Sequence, residues 1–217
     1  MSFPVIVIGA GGHATVVADA LLASGVEVLG FTDPLPALGG ERRCGLPILG
    51  DDGILAEHDP AAVRLANGIG STRANDATSL RVRVQTHLES RGWRFVTVCH
   101  PAAIVSPFAQ LGEACQIMAG AVVQPNASVG KGAIVNTGAV VEHDVSLADW
   151  THVAPRAVVC GDARVGPGCH IGAGAVIRHS VSLGADVVVG IGAAVVKDQS
   201  AAAILAGVPA RKLDRKT

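Results

Sequence analysis

The sequence predicts two joined architectures: an α/β, Rossmann-like βαβαβ domain over residues 1–98, and a parallel β-helix of hexapeptide repeats with a C-terminal cap over residues 99–217. Three observations predict them. An aliphatic residue recurs at every sixth position from Val105 to Val195 without a break. A glycine-rich turn, Gly9-Ala10-Gly11-Gly12-His13-Ala14, follows a short apolar run. A second apolar run then ends at Thr32-Asp33.

In chain order, Phe3 to Ile8 has the composition of a strand, and Val16, Val17, Ala20 and Leu21 give the following stretch a helical period. Val26 to Phe31 is the next strand, which completes a βαβ unit. Gly9-x-Gly11-x-x-Ala14 at the strand-to-helix turn, with Asp33 after the next strand, meets the dinucleotide fingerprint in relaxed form. Glycines there let backbone N–H groups and a helix N-terminus approach a phosphate. The turn alone is equally a tight βα connection that binds nothing, and Asp33 favours a nucleotide. A helical stretch near Asp51 to His58, a strand Val63 to Ala66 running into Asn67-Gly68-Ile69-Gly70-Ser71, a helix from about Ala77 to Arg91 and a strand Trp93 to Val98 follow. Only one mononucleotide-binding half fits before the hexads, which argues for a nucleotide or nucleotide-sugar and against NAD.

From Val105 on, the aliphatic position is followed four residues later by a small or short-branched one, as in Val105/Ala109, Ile117/Ala121 and Val135/Ala139. A period of six matches neither an amphipathic helix nor a hairpin array, and it is the signature of a parallel β-helix. Three hexads make one triangular coil, so residues eighteen apart stack on one edge. Coils repeat at roughly 4.8 Å, and five or so give a prism on the order of 25 Å tall. Lys197 to Ala203 reads as a cap or short helix.

The same ruler sorts the histidines. His143, Gly161 and His179 share one edge, and His152 lies under His170 on another. Such positions, near corners and outer faces, are expected to leave most of these histidines accessible. His143 is flanked by Glu142 and Asp144, and either carboxylate can orient its ring and stabilise imidazolium. Gly161 leaves a gap over the ring and a backbone N–H able to donate to a developing oxyanion. His170 and His179 read as corner histidines without a task.

Composition excludes several classes. The 49% hydrophobic residues suffice for a core, and 3% aromatics suit thin repeated layers. A formal net charge of −1 with no Lys/Arg block gives no support for nucleic-acid or membrane partners. No basic stretch with a cleavage site opens the sequence and no apolar run is long enough to span a bilayer, so a soluble, cytoplasmic protein is expected. The five cysteines form no Cys-x-x-Cys pair, and Cys115 and Cys169 take the small inward hexad position.

The hexads, the Gly-Ala-Gly-Gly-His-Ala turn, the segment Asn136 to Asp144 and the closing Gly207-Val208-Pro209-Ala210-Arg211 together resemble the sugar acetyltransferases of the left-handed β-helix superfamily. The nearest group contains the bacillosamine and perosamine N-acetyltransferases and the sialic acid O-acetyltransferases. That resemblance implies a homotrimer with acetyl-CoA in the groove between neighbouring prisms. It assigns the general base to His143, its supporting carboxylate to Asp144 and the oxyanion-donating amide to Gly161. It assigns the contact near the thioester to His152, and the lining of the pantetheine arm to backbone near Ala173 and Ile191. For the nucleotide-sugar it implies Gly11, Gly12, His13, Asp33 and Gly70, while Pro34 departs from a second acidic residue found in some relatives. The implied reaction is N-acetylation of a UDP-bacillosamine-type or GDP-perosamine-type sugar for surface glycan synthesis, with sialic acid O-acetylation as the alternative. β-Helical carbonic anhydrases bind zinc through histidines on stacked coils, but here the pairs are eighteen or thirty-six residues apart with no His-x-His, and no metal is expected. A zinc hydratase and a non-catalytic binding solenoid remain the readings from other classes. With no insertion in the hexads, sugar specificity is expected to come from the N-terminal domain and neighbouring subunits.

Overall fold

A computed structural model of the chain describes residues 3–34, 42–70, 79–200 and 202–213. They fall into two compact units, one ending at Pro101 and the other running from Ala102.

The first unit is an α/β layer. Its strands are β1 (Val5–Ile8), β2 (Val28–Thr32), β3 (Arg42–Arg43), β4 (Leu46–Gly50) and β5 (Arg64–Asn67), in the spatial order β3-β4-β2-β1-β5. β1, β2, β4 and β5 run parallel, and β3 is antiparallel to β4. Ile6, Ile8 and Leu65 are fully buried, as the unbroken apolar runs of a two-sided sheet require. Helix α1 (Gly12–Ala23) buries Ala14, Val17, Ala18 and Leu21, one face at helical spacing. Helix α2 (Leu80–Ser90) starts at Ser79, whose side chain accepts the Val82 N–H at 3.3 Å, and buries Val82, Gln85 and Leu88.

One expectation for this unit is made more exact and one needs correction. The stretch near Asp51 to His58 is a 3-10 helix at Asp52–Glu57, started by Asp51 accepting the Gly53 N–H. The strand expected over Trp93 to Val98 shrinks to a bridge between Phe95 and Leu65 and a two-residue strand Val98–Cys99. The apolar composition of Trp93 to Val98 imitated a strand, but a bridge pairs only one residue of it with the sheet edge.

The second unit is a solenoid of two-residue strands on three faces. From Ile104 to Val195 the strands pair in parallel with a register of eighteen, for example Val123 with Val141 and Val141 with Val159. Each coil hydrogen-bonds to the next, as where the Ile134 N–H donates to Thr151 O at 2.8 Å and the Asn136 N–H to Val153 O at 2.9 Å. The aliphatic and small hexad positions fill the interior together: Ile117, Ala121, Val135, Ala139, Val153, Ala157, Ile171 and Ala175 are all completely buried. Leu111 is 36% exposed, since its strand in the first coil pairs on one side only. Cys115 and Cys169 are buried, and burial pushes the Cys169 thiol up to about 11.

Corners impose their own chemistry. Asn126, Asp144, Asp162 and Ser180, eighteen apart, all have a left-handed backbone with φ of 63°, 60°, 56° and 58°. Short polar side chains tolerate that region best. Lys197 to Ser200 forms no helix. Gln199 bridges to Leu183, and Ile204–Ala206 adds to the face of Val188–Val189 before Arg211–Lys212 closes it antiparallel. With Val153 paired on one side of it and Val189 on the other, Ile171→Ala is expected to cost about 2–5 kcal/mol through the cavity it leaves, measurable by urea unfolding.

Candidate active site

The first candidate region is the carboxyl edge of the sheet in the N-terminal unit. Ile8 is in register with Thr32 and Asn67, and Thr32 with Gly50, so the loops at Gly9, Asp33, Asp51 and Gly68 leave the same edge. Ligands of open α/β sheets bind at such an edge. No side chain caps α1, and a side chain placed on Gly11 or Gly12 would meet nothing within 4 Å. A helix start without a side-chain cap, beside glycines that leave room for a ligand, suits a phosphate. Gly70 packs on His13, its missing Cβ being 3.0 Å from His13 Cβ. Asp33 is half-buried, with its N–H donated to Gly50 O at 2.8 Å. Gly11, Gly12, His13, Asp33 and Gly70 thus lie around one edge.

Polar residues that sequence reasoning missed hold this edge in shape. Thr32 Oγ1 accepts the Gly9 N–H at 3.3 Å and donates to Asp52 Oδ1 at 2.6 Å. Asn67, 2% exposed, accepts the Ile69 N–H and donates to Gln85 Oε1 at 3.0 Å. Gly68 has no room for a side chain, since a Cβ there would lie 2.6 Å from Ala14 Cβ and 2.8 Å from Ile8 O. Both the fingerprint turn and its neighbour are consequently packed from below.

The second region is the solenoid edge of His143. The strand Val140–Val141 ends one residue before Glu142, and the left-handed turn at Asp144 folds its carboxylate back beside the ring. His143 Nδ1 lies 2.8 Å from Asp144 Oδ2, and Asp144 Oδ1 accepts from Asn126 Nδ2 at 3.1 Å. Asn126 sits one coil earlier, so the ruler that sorted histidines would also have found it. The bond to Asp144, together with the nearby charges of Asp144, Glu142 and Asp162, raises the His143 pKa above its ordinary value. His143 and Asn126 in turn hold Asp144 below the usual carboxylate range.

With Nδ1 bound to the carboxylate, the basic nitrogen is Nε2. It faces Gly161, where a Cβ would stand 2.7 Å from it. The Gly161 N–H donates to no group among the described residues, while its carbonyl accepts from the Ser180 N–H. A base, its carboxylate and an available amide therefore converge on one small space.

His152 and His170 pair in register on another face, with ring centroids 4.9 Å apart at 83°. His143 and His179 are exposed, as expected of most of these histidines, and His152 is the exception. His152 is 8% exposed and His170 half-buried, because the outward strand position is roofed by side chains of adjacent coils. Burial lowers the His170 pKa. Asn136 Oδ1 accepts the Thr137 N–H at 2.8 Å, so its amide nitrogen faces His152 Nε2 at 3.1 Å. Nε2 then accepts, which puts the His152 proton on Nδ1. Ala173 and Ile191 stack at the corner after this face, joined by the Gly192 N–H to Ala173 O bond of 2.9 Å, and Ile191 is 85% exposed. Within one chain the structure brings His143, Asp144 and Gly161 together, while His152 lies on another face and Ala173 and Ile191 stack at the corner that follows it. Among the described residues no group of three or more His, Cys, Asp or Glu is arranged to hold a metal ion, and no helix is long and apolar enough to cross a membrane.

Residues 4–78 match the PglD N-terminal domain model, and residues 108–143 and 144–179 match the bacterial transferase hexapeptide (six repeats) model. The acetyltransferase domain of PglB from Neisseria gonorrhoeae FA1090, solved with acetyl coenzyme A, is 33% identical with a TM-score of 0.89, covering 98% of this chain and 100% of that one. PerB from Caulobacter crescentus, solved with CoA and GDP-perosamine, is 36% identical with a TM-score of 0.87, covering 97% of each chain. WeeI from Acinetobacter baumannii AYE, at 21% identity and a TM-score of 0.68, shares the fold. No curated protein matches the sequence.

Proposed function

The chain belongs to the hexapeptide-repeat sugar N-acetyltransferases with a PglD N-terminal domain, and we propose that its His143 edge transfers the acetyl group of acetyl-CoA to the amino group of a nucleotide-linked amino-sugar. The observation that carries this reading is His143 Nε2 facing the Gly161 gap while Nδ1 is bound to Asp144.

Acetyl-CoA supplies a thioester already activated toward an amine. His143 Nε2 takes the proton of the attacking amine, and Asp144, itself held by Asn126, stabilises the imidazolium that results. The Gly161 N–H donates to the carbonyl oxygen as it becomes negative. His152 and the corner of Ala173 and Ile191 hold the cosubstrate, Ile191 offering an exposed apolar side chain to the pantetheine arm. Since this set lies on a different face from His143, the site is completed by a neighbouring copy in a homotrimer. Residues 1–98 bind the nucleotide through the α1 N-terminus at Gly11 and Gly12, with His13, Gly70 and Asp33 beside it, and residues 99–217 carry the chemistry. The enzyme works in the cytoplasm, where acetyl-CoA and nucleotide-sugars are made.

Turnover of acetyl-CoA against UDP-, GDP- and dTDP-linked amino-sugars and free sialic acid tests this reading. A nucleotide amino-sugar is expected to be acetylated on nitrogen. Transfer to a sialic acid hydroxyl with no activity on any amine would contradict it. His13→Ala is expected to raise KM for the nucleotide-sugar while leaving KM for acetyl-CoA unchanged.

The raised pKa of His143 sets the pH dependence. The base works only unprotonated, so kcat/KM rises with pH through that raised pKa. Asp144→Asn removes the first cause of the shift, and the inflection is expected to move to lower pH while the plateau rate falls. An unmoved inflection would take His143 out of the profile.

A further inference from the structure

The edge bearing His143 and Gly161 continues one coil further to His179, which the mechanism above leaves unused. The three preceding strands pair in register, Val141 with Val159 and Val159 with Ile177, so the three residues form a column. A Cβ on Gly161 would lie 2.7 Å from His143 Nε2 and 3.2 Å from His179 Nδ1. The two ring centroids are 6.4 Å apart, tilted by 50°. Two imidazole nitrogens therefore face one small space from opposite sides, with a glycine as its floor.

The two rings are differently equipped. His143 is bonded to Asp144, whereas His179 makes no hydrogen bond among the described residues. Its neighbour Ser180 donates instead to Asp162 Oδ2 at 2.8 Å. His179 is exposed, so its ring is available as a donor toward the gap.

Acyl transfer from a thioester needs a place for the nucleophile's proton, a donor for the carbonyl oxygen and a donor for the departing sulfur. His143 and Gly161 provide the first two, in order along the column. We propose that His179 provides the third, its Nδ1–H hydrogen-bonding the thioester sulfur and stabilising the thiolate as it leaves. This rests on the acetyl-transfer reading and adds a catalytic residue to it. In the step, the amine nitrogen bonds to the carbonyl carbon and its proton passes to His143 Nε2. The C–S bond breaks with its electron pair going to sulfur, which departs as thiolate held by the His179 N–H. His143 then loses its proton to solvent, so the sum is amide, thiolate and one released proton.

A measurement without turnover tests this directly. A donor to the thiolate lowers the pKa of the bound thiol. The ultraviolet absorbance of the thiolate in CoA bound to wild type, His179→Gln and His179→Phe is followed against pH, with binding measured by calorimetry. CoA is expected to ionise at lower pH on wild type and on the Gln variant, which keeps an N–H donor, than on the Phe variant. In parallel, kcat of the Phe variant is expected to fall by at least about tenfold, with KM for acetyl-CoA nearly unchanged. Identical thiol titrations on wild type and the Phe variant would overturn the role of His179 while leaving acetyl transfer standing. Failure of wild type to bind CoA at all would remove both.

Discussion

Alanine at His143 lowers kcat by on the order of 10²- to 10⁴-fold at neutral pH, the usual contribution of a positioned general base. The loss is expected to grow as pH rises through the raised His143 pKa, because the wild type gains its unprotonated base there and the variant has none to gain. Glutamine at the same position, which cannot take the proton, behaves like alanine. Side-chain exposures of 56% for His143 and 50% for Asp144 mean that neither substitution disturbs the solenoid core, so the melting temperature stays close to wild type. Initial rates across pH 6 to 9, with both substrates saturating, check this. A rate unchanged over the whole range would remove His143 from the mechanism.

Alanine at Gly161 is the second large effect. Its Cβ would stand 2.7 Å from His143 Nε2 and Cε1 and 3.2 Å from His179 Nδ1, in the space where the reacting carbonyl must sit. Gly161 does not use a left-handed backbone, so the methyl group itself brings no conformational strain. Activity and stability are therefore expected to separate. The rate falls by about 10²- to 10³-fold, as much as losing an oxyanion donor costs, because the methyl group bars the carbonyl oxygen from the amide N–H that alanine retains, while the melting temperature changes by a few degrees at most. Steady-state kinetics alongside calorimetry distinguish this from a general folding defect, in which both would drop together.

Much of this edge was legible in the sequence because a parallel β-helix converts spacing into position. Eighteen residues carry the chain once around the prism, so Gly161 had to stack on His143, and the register of Val141 with Val159 shows that it does. Asn126 obeys the same rule under Asp144, yet its side chain looks like an ordinary corner residue until its bond to the carboxylate is seen. Burial was harder to read. The position before the inward aliphatic points outward on every coil, but whether it is wet depends on what stands on the coils either side. His152 is roofed by Asn136 and His170, and only the packed structure shows it.

The N-terminal unit was legible at α1 and its turn, where a glycine pattern has one backbone meaning. Its supporting bonds were not. Thr32, Asp52, Asn67 and Gln85 come from separate segments, and no period relates them. Trp93 to Val98 misled for the opposite reason: local composition favoured a strand, but the sheet edge at Leu65 pairs only with Phe95.

A crystal structure of the His143→Ala enzyme with CoA and an accepted nucleotide amino-sugar tests the account most directly. The acceptor nitrogen is expected within about 3 Å of where His143 Nε2 stands in the wild type, with the CoA sulfur on the far side of Gly161. An acceptor amine bound away from the Gly161 gap, or CoA seated along an edge that lacks His143, would contradict it.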